Sequence, residues 1–298
     1  MKILGFGAVL WDEISGEKNI GGAVFNLVTH CRKLGAEAFF YTAVGADKLG
    51  ERTIELVRDL GIHTDFVKTV DWPTCVVKVS IDESGGAKYS VPTMTSWDFI
   101  AATEEDFSTV DSLDFDYFCF GTIEQRSSTS RKTLRSLLRH CRFKNIFLDA
   151  NLRLDYYNRA ILQYSLRQSN MAKFNKEEMS IVSKLLGFGQ VGYEDFIQIM
   201  IRRYGLKLVC VTLGRDGALL GSNTELVHCP GYTVEVSDTV GAGDAFSAGL
   251  LLKEHSAVSL HETVDFACRL GSIVASRRGA IPDYELDDIL SLSNMNQN

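Results

Sequence analysis

Short apolar runs that read as strands alternate with longer stretches of helical spacing along almost the whole chain. This alternation restricts the fold more than any single motif does. Residues 2–10, 38–44, 115–120, 145–149 and 206–212 are strand-like, with two shorter runs at 218–220 and 226–228. Residues 24–34, 47–60, 128–141, 159–167, 176–186, 195–204, 242–253 and 260–277 carry apolar side chains at helical spacing. In the first of these the stripe is Val24, Leu27, Val28 and Cys31, and Gly35 stops it. Strands that alternate with helices imply βαβ units. The expected architecture is therefore an α/β fold with a mainly parallel sheet covered by helices on both faces.

Two stretches break the rhythm, near residues 12–20 and 68–92. Both hold short β candidates with no helix between them. Residues 75–81 and 88–91 flank Asp-Glu-Ser-Gly-Gly and read as a hairpin. The expectation is a small β-sheet lid on a single domain spanning residues 1–298. Two surface hairpins without a catalytic part are the plainer alternative.

Composition narrows the function classes. The formal net charge is −7 and no block of Lys and Arg stands out, so a nucleic-acid footprint is missing. An acidic protein can still bind anions through backbone N–H groups. No apolar run approaches the ~20 residues of a membrane span, and the N-terminal run reads as a strand rather than a signal peptide. A cytoplasmic protein is expected. The seven cysteines are widely spaced, with no Cys-x-x-Cys, which argues against a disulfide framework. Three follow a histidine directly, at His30-Cys31, His140-Cys141 and His228-Cys229. Adjacent residues diverge on either kind of element, so buried thiols beside surface imidazoles are expected there rather than zinc ligands.

The segment Asp-Thr-Val-Gly-Ala-Gly-Asp-Ala-Phe-Ser-Ala-Gly, from Asp238 to Gly249, passes from a β pattern to a helix pattern across its glycines. A helix N-terminus offers unpaired N–H groups and a partial positive charge. Glycines let the backbone approach a ligand. Gly241, Ala242 and Gly243 therefore suit an anion hole for a transferring phosphoryl group. Asp244, in the first turn, could accept a proton from an attacking hydroxyl. A plain helix cap would use the same residue type. No Gly-Lys-Ser/Thr follows, and the third glycine of a dinucleotide fingerprint is missing.

This segment resembles the C-terminal signature of the ribokinase-like (PfkB) carbohydrate kinase family. Three more stretches are similar to that family and stand in the expected order. Gly21 to Glu51 resembles its N-terminal signature, with Gly21-Gly22, Asn26, and the glycines and aspartate of Gly45, Asp47 and Gly50. Asn175 and Glu178 match its Asn-x-x-Glu motif, and Val211 to Leu219 its nucleotide-side strand and turn. The resemblance implies a Rossmann-like domain with a β-lid and ATP-dependent phosphorylation of a hydroxymethyl group. It makes Asp244 the general base and Gly241, Ala242 and Gly243 the anion hole. Asn175 and Glu178 would organise Mg²⁺ and phosphate, Glu178 through water. Thr212, Gly214 and Gly217 would lie along the nucleotide, while Asp12, Gly22 and Asn26 would hold sugar hydroxyls. Asp238 and the backbone carbonyl of Val240 resemble the family's monovalent-cation loop and would hold K⁺; a plain turn capped by Asp238 accounts for the same residues. A homodimer formed through the lid is a further implication.

The opening Phe6 to Ile14 and the run Leu148 to Asn158 resemble bacterial fructokinase-like members of the family. The second contains Asp149, Asn151 and Arg153, and Arg153 could touch a sugar or a phosphate. Two departures weaken the substrate assignment. Ala8 stands where an acidic residue is usual, and Val24 where proline is common. Fructose or a related ketose leads; ribose, a sugar acid or a nucleoside stay open. A catalytically silent sugar-binding regulator on the same fold is the alternative of another class, and loss of Asp244 or the glycines would have favoured it.

Overall fold

The computed structural model describes residues 1–14, 16–81 and 87–292. The chain starts with β1 (Lys2–Phe6), then β2 (Leu10–Ile14), β3 (Glu17–Gly21), α1 (Ala23–Lys33), β4 (Glu37–Gly45) and α2 (Lys48–Asp59). β5 (Val67–Val70), β6 (Val76–Ile81), β7 (Ala87–Ser90) and α3 (Glu104–Ser112) follow. The central part holds β8 (Tyr117–Phe120), α4 (Ser128–His140), β9 (Asn145–Asp149), α5 (Arg159–Gln168), β10 (Met171–Asn175) and α6 (Lys176–Leu186). The C-terminal part holds α7 (Tyr193–Tyr204), β11 (Leu208–Thr212), β12 (Ala218–Gly221), β13 (Leu226–Cys229), α8 (Ala242–His255), α9 (Leu260–Ala275) and α10 (Leu286–Ser291).

Nine strands form the main sheet in the order β13-β12-β11-β10-β9-β8-β1-β4-β5. The pairs from β5 to β11 are parallel; β12 and β13 are antiparallel at one edge. Alternation along each strand divides the core between the two faces. Leu4, Phe6, Phe118 and Phe120 face one hydrophobic cluster, and Ile3, Tyr117 and Cys119 the other. The first face is covered by α4 to α7 through Leu134, Leu162, Met179 and Phe196. The second is covered by α1, α8 and α9 through Phe25, Leu250 and Val264. Burial on both faces is why the central strands read as nearly continuous apolar runs.

A second sheet, in the order β3-β2-β6-β7, is the small sheet expected from the broken rhythm. Its hairpin pairs β6 with β7 antiparallel; the intervening residues 82–86 lie outside the described residues. Three expectations about boundaries need correction. Residues 2–10 are not one strand: β1 ends at Phe6, and β2 joins the other sheet. The break falls at Gly7, where an added Cβ would stand 2.8 Å from Glu124 and 3.0 Å from Val24. Second, β5 pairs with β4 in the main sheet, so the second stretch of the small sheet begins at Val76 and not near residue 68. Third, β10 lies between two helices where no strand was expected.

All seven cysteines are buried free thiols. His140 and His228 are exposed beside them, but His30 is fully buried, against expectation. Its Nε2–H donates to the Ala280 carbonyl at 3.0 Å, and Nδ1 accepts from the Tyr284 hydroxyl at 2.8 Å. Burial depresses its pKa to about 4, which keeps the ring neutral and fixes this tautomer.

Candidate active site

The carboxyl ends of the central strands converge on one region, where sites of open α/β sheets collect. Asp149 ends β9, Asn175 ends β10 and Thr212 ends β11, and the last two are register partners. Above them α8 begins at Gly241, which has φ 78° and no side-chain cap. A Cβ there would lie 2.4 Å from the Ala280 carbonyl oxygen, so only glycine fits. The N–H groups of Gly241 and Gly243 meet no acceptor among the described residues. The N–H of Ala242 donates to Thr239 O at 3.3 Å, so this member of the expected trio is already partly engaged.

Asp244 meets Asn26 from α1: Asn26 Nδ2 donates to Asp244 Oδ2 at 2.8 Å. Asn26 is 4% exposed, and its Oδ1 has no partner among the described residues. Asn26 is thus a buried amide rather than one on the helix surface. Burial raises the Asp244 pKa to about 7, and the Asp149 carboxylate adds to the rise; Lys173, Asn26 and Arg153 oppose it. A carboxyl that titrates near neutrality is suited to proton transfer.

The residues expected on the sugar side gather around the start of α1. Gly22 has φ 124°, and a Cβ there would stand 2.2 Å from the Ala8 carbonyl oxygen. Asp12 lies on β2, and burial raises its carboxyl pKa to about 6, with the Arg153 charge pulling the other way. Arg153 is exposed, yet its charge acts on both Asp12 and Asp244. Its loop holds Asn151 at φ 36° and Leu154 at φ 51°. A bulky leucine there is strained, and such strain clusters at functional sites. At the departure Ala8 a carboxylate is nevertheless present. Glu124 is 3% exposed, and its Oε1 accepts from Ala8 N at 3.2 Å. Burial raises its pKa to about 7.

Asn175 and Glu178 form a reciprocal cap on α6. Asn175 Oδ1 accepts from Glu178 N, and Glu178 Oε2 accepts from Asn175 N, both at 2.8 Å. Glu178 Oε1 accepts from Leu152 N at 3.0 Å. Among the described residues no three His, Cys, Asp or Glu side chains are grouped to hold a metal by themselves. A Mg²⁺ ion that arrives with phosphates needs only one or two carboxylates and its own waters, so Glu178 fits that mode. Asp238 bridges two segments: Oδ1 accepts from Val240 N at 3.0 Å and Oδ2 from Gly279 N at 3.2 Å. Gly217 has φ 91° with a Cβ position 2.0 Å from Cys229 O, which marks a tight turn, whereas Gly214 faces open space.

Sequence reasoning missed three side chains here. Lys173 bonds both Asp149 carboxylate oxygens, at 3.0 and 2.9 Å, and the pair is buried. Ser247 Oγ donates to Asp149 Oδ2 at 2.9 Å. Glu124 is the third. A lysine inside an otherwise apolar run was the one available signal for the first of them.

The fold is shared with known structures. A fructokinase from Xylella fastidiosa with bound ATP superposes with TM-score 0.84 at 20% identity, over 98% of this chain and 97% of that one. A 2-dehydro-3-deoxygluconokinase from Thermotoga maritima gives TM-score 0.85 at 19% identity, over 98% and 99%. In sequence, a fructokinase from Escherichia coli is 25% identical over 274 residues, covering 88% of this chain and 87% of the relative. The description pfkB family carbohydrate kinase matches residues 5–286, and the chain belongs to that family.

Proposed function

We propose that this carbohydrate kinase transfers the γ-phosphoryl group of ATP to the hydroxymethyl group of a ketose, with fructose as the leading substrate. The observation that carries this reading is the Asp244 carboxyl, held by Asn26 beside the unengaged N–H groups of Gly241 and Gly243. In the reaction Asp244 takes the hydroxyl proton as the oxygen attacks phosphorus. The phosphorus bond to the β,γ-bridging oxygen breaks and ADP leaves. The free N–H groups face the charge on the transferring group. Asn26 keeps the Asp244 carboxyl aimed while Asp12 and Gly22 receive the sugar. Thr212, Gly214 and Gly217 lie along the nucleotide, with Asn175 at the next strand end. Glu178 would hold Mg²⁺ through water, and the ion would supply charge neutralisation on the phosphates. Asp238 and the Val240 carbonyl would hold K⁺, which would stiffen the turn before α8.

The exposed Arg153 guanidinium favours a second reading, a sugar acid whose carboxylate pairs with it. An ADP-release screen over fructose, tagatose, ribose, adenosine and 2-dehydro-3-deoxygluconate separates the two. Turnover with fructose or tagatose is expected. Selective turnover of the sugar acid would replace the ketose reading, and no ADP with any of the five would remove both. The enzyme is expected in the cytoplasm, with a second copy pairing through the small sheet.

Three further outcomes are expected from the same assay. Asp12→Ala leaves sugar hydroxyls without a charged partner, which costs about 1.5–3 kcal/mol. The sugar KM should rise about 10- to 100-fold by that measure while the ATP KM stays put; an effect confined to ATP would show Asp12 to be misplaced. Activity should vanish in EDTA, and KCl should raise kcat above NaCl at matched ionic strength. Equal rates in both salts would leave Asp238 as a turn residue.

A further inference from the structure

The transfer just described leaves one buried charge at its centre unused. Lys173 is 6% exposed in the middle of β10. Its partner Asp149 is its register neighbour on β9 and is 2% exposed. A buried ammonium needs such a partner, so the pair explains why the charge is tolerated. It does not explain where the ammonium points. An ammonium has three donors. Two go to Asp149, and no acceptor among the described residues takes the third. A Cβ added to Gly243 would meet Nζ at 3.4 Å. The free donor therefore stands against the first turn of α8, where the exposed backbone of Gly243 precedes Asp244. Ser247 fixes this geometry: its Oγ is 2.9 Å from Asp149 Oδ2 and 3.0 Å from the Gly243 carbonyl oxygen.

We propose that Lys173 is a catalytic cation of the phosphoryl-transfer site, donating its free N–H to an oxygen of the γ-phosphoryl group as that group passes from ATP to the sugar. This rests on the kinase reading above. Burial opposes the charge on Lys173, but the carboxylates of Asp149, Glu178 and Asp244 outweigh it and keep the ammonium protonated. Those three carboxylates make the unliganded centre acidic. An incoming phosphoryl group needs a cation there, and Lys173 is a buried one already in place with a donor to spare. A lysine serving only to balance Asp149 would have no cause to bring its spare donor against the first turn of α8.

The test compares nucleotides with and without a γ-phosphate. Binding of AMP-PNP and of ADP, each with Mg²⁺, is measured calorimetrically for the wild type, for Lys173→Met and for the Asp149→Asn/Lys173→Met double variant. The double variant removes the carboxylate that the single change strands, so it guards against a folding defect. In both variants AMP-PNP should bind about 10- to 100-fold more weakly, the worth of one charged hydrogen bond, with ADP within about twofold by the same reckoning. kcat should fall with AMP-PNP affinity and should not recover in the double variant. A parallel loss for both nucleotides, no loss for either, or recovery of kcat in the double variant would make Lys173 a structural counter-ion and overturn the proposal. A wild type that binds neither nucleotide would overturn the kinase reading as well.

Discussion

Asp244→Asn is expected to lower kcat by about 10²–10⁴-fold, the usual worth of a general base, while sugar and nucleotide still bind. The substitution keeps the shape and the contact with Asn26 but cannot take a proton. The wild-type pH dependence should carry the same signature. Burial and the Asp149 carboxylate raise the Asp244 pKa to about 7, against the pull of Lys173, Asn26 and Arg153. A base works only when deprotonated. Activity should therefore rise with pH through about 7 and fall off below it, the reverse of what a group needed in its protonated form would give. The basic groups near Asp244 do not confuse this limb, since Lys173 stays protonated throughout. Glu124 and Asp12, raised to about 7 and about 6, can add to the acid limb, and the substitution separates them. In Asp244→Asn whatever limb remains belongs to other groups, among them those two and Glu178, whose carboxyl pKa burial also raises. Near-normal turnover in this variant would sink the assignment of the base.

The same residues show what a sequence can disclose. β9 and α6 run over the residues expected for them, because β9 is a short, mostly apolar run and α6 has its cap, its stripe and its terminal glycine together. α8 was legible because its glycines and its apolar run coincide. β10 was not. Its central residue is Lys173, and a charge in the middle of a five-residue run hides the apolar pattern that marks a buried strand. The lysine is there for its long-range partner, so the feature that concealed the strand is the one that joins it to the site. α3 was missed for a different reason: it is polar, with Val110 and half-buried Phe107 its only apolar side chains turned inward, beside the buried Asp106. Within the candidate site, motif spacing singled out Asp244, Asn26 and Glu178. It could not tell that Asn26 reaches Asp244 across 218 residues, or that Glu124 would fill the place beside Ala8. Such pairings come from the way the strand ends meet, and no local pattern encodes them.

Gly241→Ala should be the most damaging of the small substitutions. Alanine at φ 78° costs about 1–2 kcal/mol from backbone conformation alone. Its Cβ would also stand 2.4 Å from the carbonyl oxygen and 2.6 Å from the Cα of Ala280, both main-chain atoms that cannot swing aside. Either α8 or the segment at Ala280 must move. That segment is tied on two sides: Ala280 O accepts from His30 at 3.0 Å, and Gly279 N donates to Asp238 at 3.2 Å. His30 lies one helical turn beyond Asn26 on α1, so the strain reaches the residue that aims Asp244. Displacing one donor of an oxyanion site costs about 10²–10³ in kcat, and a loss at least that large is expected here. The sugar KM should change less than kcat, because Asp12 stands on β2, away from α8 and the segment at Ala280. Gly243→Ala is the control. Gly243 has helical φ, and its Cβ would touch only Lys173 Nζ, at 3.4 Å. It should keep nearly the full thermal stability, whereas Gly241→Ala should melt several degrees lower. Steady-state kinetics and melting curves on the two variants decide the matter. A Gly241→Ala enzyme with normal kcat would show that the start of α8 does not hold the transferring group, however well it is shaped for an anion.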